Sequence, residues 1–156
     1  MGSRSKIDLA YIAGFLDGDG SLMLQIKKRK DVKIKWRFMA TICFYQDSRH
    51  DGPLKWIRQV LKIGYLSKRN DGMTELRING FEQIRNILKE INPFLKFKKN
   101  QGRAMYLAVN ILSKKAPNKK QLAKIVDYII TIQNDNYATR KKKTREEMLS
   151  ILDLTP

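Results

Sequence analysis

The stretch Leu9-Ala-Tyr-Ile-Ala-Gly-Phe-Leu-Asp-Gly-Asp-Gly-Ser21 holds the densest information in the chain. Ala10, Ala13, Gly14, Asp17 and Gly18 recur at spacings of three and four, which on a helix makes one stripe of small residues. Small residues let two helix backbones approach closely, and Gly14 and Gly18 have the G-x-x-x-G spacing that does so. Leu9, Ile12, Phe15 and Leu16 fall on the other side and suit a subunit core. Residues 7–19 therefore predict a helix with one side for the core and one for a partner helix, with Ser5 and Asp8 as its capping pair. Asp17 and Asp19 fall at its C-terminal end, where the helix dipole disfavours acids. A bound cation would offset that cost, so the two carboxylates hint at function. The competing reading is an ordinary polar turn, which a bare Asp-Gly-Asp-Gly fits equally well. A Ca²⁺ loop of the EF-hand kind is excluded, because its twelfth position needs Glu and here holds Lys28.

Outward from this helix the periodicity changes to two. In residues 21–30, Leu22, Leu24 and Ile26 alternate with Gln25, Lys27 and Arg29. In residues 32–46, Val32, Ile34, Trp36, Phe38, Ala40, Ile42 and Phe44 share a face opposite Lys33, Lys35, Arg37 and Thr41, with Asp31 at the intervening turn. Gly52-Pro53 opens a helix bearing Leu54, Ile57, Val60 and Leu61. Tyr65–Arg69 and Met73–Asn79 flank Asn70-Asp71-Gly72 as a second hairpin. Phe81, Ile84, Leu88 and Ile91 mark a helix that stops before Pro93. A helix over 99–112, a Lys-rich loop over 113–120 and a helix carrying Leu122 to Ile132 follow. A basic loop over 135–143 then leads to a last helix begun by the Thr144/Glu147 capping box.

The order α-β-β-α-β-β-α with further helices predicts an α+β fold. It has one four-stranded antiparallel sheet, helices on one face, and the other face wet. The wet face is assigned Gln25, Lys27, Arg29, Lys33, Lys35, Arg37, Ser67, Arg69, Glu75 and Arg77, of which seven are Lys or Arg. A merely solvated face would mix both signs of charge; this one reads as a nucleic-acid surface. The major groove of double-stranded DNA admits such a β-ribbon.

Composition supports that reading. The 156 residues fit one domain, taken as 1–156 with 1–6 as an N-terminal tail, and 42% hydrophobic content suffices for a core. Lys and Arg number 32 against 15 acids, a net charge of +17, and polyanions are the natural partners of such a chain. Cys43 and His50 are the only residues of their kinds, so one chain has neither a disulfide nor a zinc site. Any metal would be a hard cation on oxygen ligands: Mg²⁺, Mn²⁺ or Ca²⁺. Residues 7–16 are too short for a membrane span and are interrupted by Asp8, so a soluble intracellular protein is expected.

The 9–20 stretch resembles the signature of the LAGLIDADG homing endonucleases, in the branch with one motif per chain. Weaker matches follow in order: Pro93-Phe-Leu-Lys-Phe-Lys98, Gln133-Asn-Asp, and Thr139-Arg-Lys. The resemblance implies a homodimer joined through Ala13, Gly14 and Asp17 that cuts both strands of a long pseudo-palindromic DNA site, with an intron as the usual coding context. It implies Asp19 as the metal-binding acid, the Gly18 carbonyl as a further ligand, Gln46 as the residue orienting water, and Lys98 facing the scissile phosphate. Arg49 or His50 would fill a nearby basic position. Thr139, Arg140, Lys141 and Lys142 would grip the backbone near the cut, although Arg140–Lys143 also fits a nuclear-localisation patch. The chemistry is consistent: one carboxylate per chain is too few for a two-metal site, and two chains supply two copies of Asp19. Mg²⁺ is the expected cofactor, with Mn²⁺ as a substitute and Ca²⁺ binding without efficient cleavage. Two rivals share the scaffold: a maturase binding intron RNA, and a DNA-binding protein without catalysis.

Overall fold

Ser5 opens the first helix. Its hydroxyl oxygen accepts the Asp8 N–H at 3.5 Å, and α1 (Lys6–Asp19) follows. The structure, a computed structural model, describes residues 4–30, 36–136 and 141–154. Leu9, Ile12, Ala13 and Leu16 are buried beneath α1. No loop separates α1 from β1 (Gly20–Lys28): a single peptide bond, Asp19–Gly20, joins helix to strand. Space dictates glycine at this junction, because a Cβ on Gly20 would lie 2.9 Å from both the Cα and the carbonyl oxygen of Leu16.

The sheet contains β1, β2 (Trp36–Asp47), β3 (Tyr65–Lys68) and β4 (Met73–Asn79), all antiparallel, in the order β1-β2-β4-β3. Two hairpins thus pair through their second strands. The β3–β4 turn reaches a positive φ of 82° at Gly72, which the glycine accommodates. Leu22 and Leu24 pair opposite Ile42 and Ala40, and Ile42 and Phe44 opposite Ile78 and Leu76. These side chains make the buried face. Each fully buried Leu or Ile there contributes about 1.5–3 kcal/mol.

α2 (Gly52–Leu61) starts with Pro53 in its first turn, and α3 (Phe81–Ile91) ends ahead of Pro93, both as the sequence indicates. α4 (Lys99–Leu112), α5 (Lys119–Asn134) and α6 (Arg145–Ile151) complete the helical side. The Thr144/Glu147 capping box forms in both directions. One hydrophobic cluster runs from Leu9 in α1 through the sheet to Leu152. Among the described residues, no helix is long and apolar enough to cross a membrane.

Four details depart from the sequence reading. Arg4, expected in a loose tail, is tied down: it donates to the carbonyls of Val60 (3.2 Å) and Leu61 (3.0 Å) and ion-pairs with Glu90. The last turn of α2 leaves carbonyls that need donors, and Arg4 supplies them. α5 begins inside the expected 113–120 loop, because Asn118 and Gln121 form a second capping box. β1 stops at Lys28, which leaves Arg29 beyond the strand, and β2 runs on to Asp47. Lys33 and Lys35, with the Asp31 turn, fall outside the described residues, as do Thr139 and Arg140.

Candidate active site and nucleic-acid face

The C-terminus of α1 meets the segment that precedes α4. One carboxylate oxygen of Asp17 accepts the backbone N–H groups of Lys96 (2.8 Å) and Phe97 (3.2 Å), and the other accepts that of Lys98 (2.9 Å). The Lys98 ammonium reaches back and donates to the backbone carbonyl of Asp17 at 2.8 Å, passing 5.1 Å from the centre of the Phe97 ring. A cation at this helix end matches the dipole. Burial pushes the Lys98 ammonium below the usual lysine range, and the charges of Asp17 and Asp19 draw it partly back. Asp17 is therefore a structural acid, with both oxygens committed. Asp19, two residues on, is exposed and has no hydrogen-bonding or ion-pairing partner among the described residues. Gly18 beside it is also exposed, and a Cβ there would meet nothing within 4 Å.

Gln46 lies at the same end of the sheet. Gly20, at the start of β1, pairs with Phe44, so Gln46 projects two residues past that pair, toward the end of α1. Its side-chain oxygen accepts the Asp47 N–H at 2.9 Å, which leaves its amide N–H₂ group to donate. Arg49 sits in the 3-10 turn Ser48–His50, with its guanidinium engaged by Asp47 at 2.7 and 3.0 Å. The Arg49 guanidinium beside Asp47 holds that carboxyl well below the usual carboxylate range. His50 is exposed in the same turn. The structure thus assembles Asp17, Gly18, Asp19 and Lys98, puts Gln46 at their end of the sheet, and turns Arg49 to an acid of its own hairpin. Among the described residues, no three His, Cys, Asp or Glu side chains gather as a metal cluster.

The outer face of the sheet carries every odd-numbered strand residue. Gln25, Lys27 and Arg37 are exposed there, and Lys27 stands directly opposite Arg37. Like charges in that position repel, and a polyanion laid across them would relieve the repulsion. The middle of the face is different. Thr41, Cys43 and Glu75 are buried. Thr41 donates to the Asn79 side chain at 2.7 Å, and Ser21 and Tyr45 share a hydrogen bond of 2.9 Å. Burial pushes the Cys43 thiol up to about 11. Arg69 and Arg77 both bond to Glu75, while Ser67 faces Glu75 across the strand pair. Sequence reading missed Cys43, Tyr45, Asp47 and Tyr65 on this face; continuing the odd-numbered alternation along β2 and β3 would have found them. Lys141 and Lys142 are exposed, and Lys141 lines a groove of ≈ 430 Å³ together with Gln25 and Lys27. The loop over 141–143 is thus continuous with the sheet face.

On the outer side of α1, Ala13 is fully buried in its own subunit, so the exposed stripe consists of Ala10, Gly14 and Gly18. Ile7 (82% exposed) and Tyr11 (54%) flank it. With Pro53 and Trp56 of α2 they line an apolar groove of ≈ 380 Å³.

The family model described as LAGLIDADG endonuclease matches residues 12–104 of this chain. DNA endonuclease I-CvuI of Chlorella vulgaris is 29% identical over 140 residues, covering 90% of this chain and 84% of that protein. The crystal structure of I-CvuI bound to the I-CreI target in the presence of Mg shares the fold at a TM-score of 0.84, with 23% identity across 95% of this chain and 94% of that one. The homing endonuclease I-SmaMI, solved on cleaved DNA, superposes at a TM-score of 0.73 and 20% identity; this chain is 99% covered but spans only 51% of that longer one.

Proposed function

The chain belongs to the LAGLIDADG endonuclease family, and from that premise we propose that it is a homing endonuclease cutting both strands of a long pseudo-palindromic DNA site as a homodimer. The observation that carries this reading is the end of α1: an exposed Asp19, with no hydrogen-bonding or ion-pairing partner among the described residues, beside a lysine held in place by Asp17. The apolar stripe of α1, with Ile7 and Tyr11 beside it, is the surface for the second copy. A two-fold axis there brings the two copies of Asp19 toward each other and suits a pseudo-palindromic target. The doubled length of the I-SmaMI chain supports the same arrangement, since two copies of this chain match it in size. The whole of residues 1–156 acts as one domain, encoded within an intron and working on DNA inside the cell.

The donor set fits a hard cation. Asp19 offers a free carboxylate, the Gly18 carbonyl is beside it, and no nitrogen or sulfur ligand is near in sequence. When bound, Mg²⁺ supplies an activated water and neutralises charge on the phosphate. Mn²⁺ accepts the same donors, and Ca²⁺ occupies them without efficient cleavage. Lys98 holds its ammonium at the helix end, where it stabilises the negative charge that grows on the phosphate. Gln46 donates its free amide hydrogens to water and orients it. Lys27, Arg37, Lys141 and Lys142 hold the backbone and Gln25, Ser67, Arg69 and Arg77 face base edges; Arg29 is a further DNA contact in this reading, as are Lys33, Lys35, Thr139 and Arg140, which lie outside the described residues.

Incubating the protein with Mg²⁺ and a library of long duplexes, then sequencing the ends, tests the reading. Paired breaks with short 3′ overhangs at one site class are expected. Tight binding with no breaks would favour a DNA-binding role instead, and preferential retention of structured RNA would favour a maturase.

A further inference from the structure

The one acid predicted to touch bases is placed where it serves other residues. Glu75 lies in β4, an interior strand, and is 9% exposed. One carboxylate oxygen accepts from Arg69 Nη1 at 3.2 Å and the other from Arg77 Nη1 at 3.3 Å. Arg69 also donates through Nη2 to Asp71 at 2.7 Å. The Nε of Arg77 is buried without a partner, so this guanidinium presents its end, not its edge, to the open side of the sheet. Cys43, directly opposite Arg77 on β2, is fully buried beneath it.

We infer that Glu75 is a positioning residue, and that the two guanidiniums it holds are a preset pair reading guanine in the major groove. The inference rests on the sheet face being the DNA surface proposed above. First, both heads converge on one carboxylate, which puts them within reach of neighbouring bases rising about 3.4 Å apart. Second, Arg77, with its Nε buried, offers N–H donors from the end of its guanidinium, Arg69 keeps one further N–H on each nitrogen bonded to Glu75 and Asp71, and guanine N7 and O6 form the base edge with two adjacent acceptors. Third, the Glu75 charge cancels much of the attraction these arginines would have for phosphate. A neutral base edge is indifferent to that cancellation and gains from the fixed geometry. The rim of the face, where Lys27 and Arg37 have no acidic partner among the described residues, has the opposite design and suits phosphate.

The test reads base preference position by position. A duplex library randomised across the half-site is bound to the full-length protein and the bound fraction sequenced. The variants are Arg69→Ala, Arg77→Ala, Arg77→Lys and Glu75→Gln, each first checked by melting curve. The unmutated protein is expected to prefer guanine at two positions, one lost in each alanine variant. Arg77→Lys keeps the charge and loses the fork, so it should lose roughly ten-fold of the guanine preference at its position. Glu75→Gln should relax both positions by roughly ten-fold, while affinity for random duplex rises because a negative charge is gone. If Glu75→Gln alters a third position and spares those two, it reads a base itself and the inference fails. Equal loss at every position, or arginine positions without guanine preference, also overturns it. Those outcomes leave the endonuclease reading intact; absence of any duplex binding by the unmutated protein would remove both.

Discussion

Asp17 and Lys98 hold each other twice: the Asp17 carboxylate accepts the Lys98 backbone N–H at 2.9 Å, and the Lys98 ammonium donates to the Asp17 backbone carbonyl at 2.8 Å. Side chain meets main chain in both directions, so the end of α1 and the start of α4 move as one unit. Asp17→Ala removes the acceptor for three backbone N–H groups. At this partly exposed site the expected cost is about 1–2 kcal/mol, a fall in melting temperature of about 2–8 °C. Cleavage should fall as well, because Lys98 loses its anchor. Asp17→Asn keeps one acceptor oxygen and should lose less of both. A melting curve paired with a cleavage assay checks the order wild type, Asn, Ala.

Asp19 has no such structural duty, so its substitution separates chemistry from binding. Asp19→Asn should abolish cleavage in Mg²⁺ and leave gel-shift affinity unchanged or slightly tighter, since the sheet is untouched and a negative charge near phosphate is lost. Cleavage at the normal rate by this variant would remove Asp19 from the metal site. Joint loss of binding and cleavage would make it a structural residue.

The alkaline limb of activity should reflect Lys98. Its folded pKa is depressed by burial, so in the free protein it loses its proton at a lower pH than an ordinary lysine. The same shift makes a stability contribution that is full above the unfolded pKa and lost as pH falls through the folded one. If the ammonium is the active form, kcat/KM should decline below the usual lysine range, and Lys98→Arg should move that decline upward. An unchanged limb in Lys98→Arg would assign it to another group.

Two glycines should behave in opposite ways. A Cβ at Gly14 would meet nothing within 4 Å in its own subunit, so Gly14→Leu should keep the subunit fold and separate the dimer in a sedimentation experiment. Gly20→Ala should leave the dimer surface alone but destabilise the subunit, because its Cβ collides with the Leu16 backbone. A monomeric wild-type protein on DNA would exclude the dimer.

Lys27→Glu should raise stability and weaken DNA binding together. In the free protein it replaces repulsion with attraction to Arg37, worth about 0.2–1 kcal/mol. On DNA it loses a phosphate contact, and the dependence of log K on log salt should become shallower by about one unit or more per subunit.

Much of this was legible because it depends on period alone. The buried strand residues Leu22, Leu24, Ile42 and Phe44 follow from alternation, and the start of α6 from Thr144 and Glu147. Asn118 and Gln121 carry the same signal, yet the surrounding lysines and Pro117 make that stretch look like loop. Ala13 was not legible in this way: its size suits either side of α1, and only packing against the core decides that it points inward. Glu75 was legible only in part. Its strand and face, and its nearness to Arg77 two residues on, follow from spacing, but its bond to Arg69 depends on how the β3–β4 turn brings the hairpin's two sides together.

The junction between α1 and β1 has a longer consequence. The carboxylate proposed for the chemistry and the first strand of the proposed recognition surface are consecutive in the covalent chain, Asp19 then Gly20. No slack exists between blade and ruler. Exchanging side chains on the sheet changes which address the protein visits, while the offset of the break within that address is inherited unaltered. Descendants of such a chain can wander among genomic sites by single substitutions and never have to reinvent the cut. A set of variants selected on different targets should therefore yield different sequences around the break but the same stagger between the two ends.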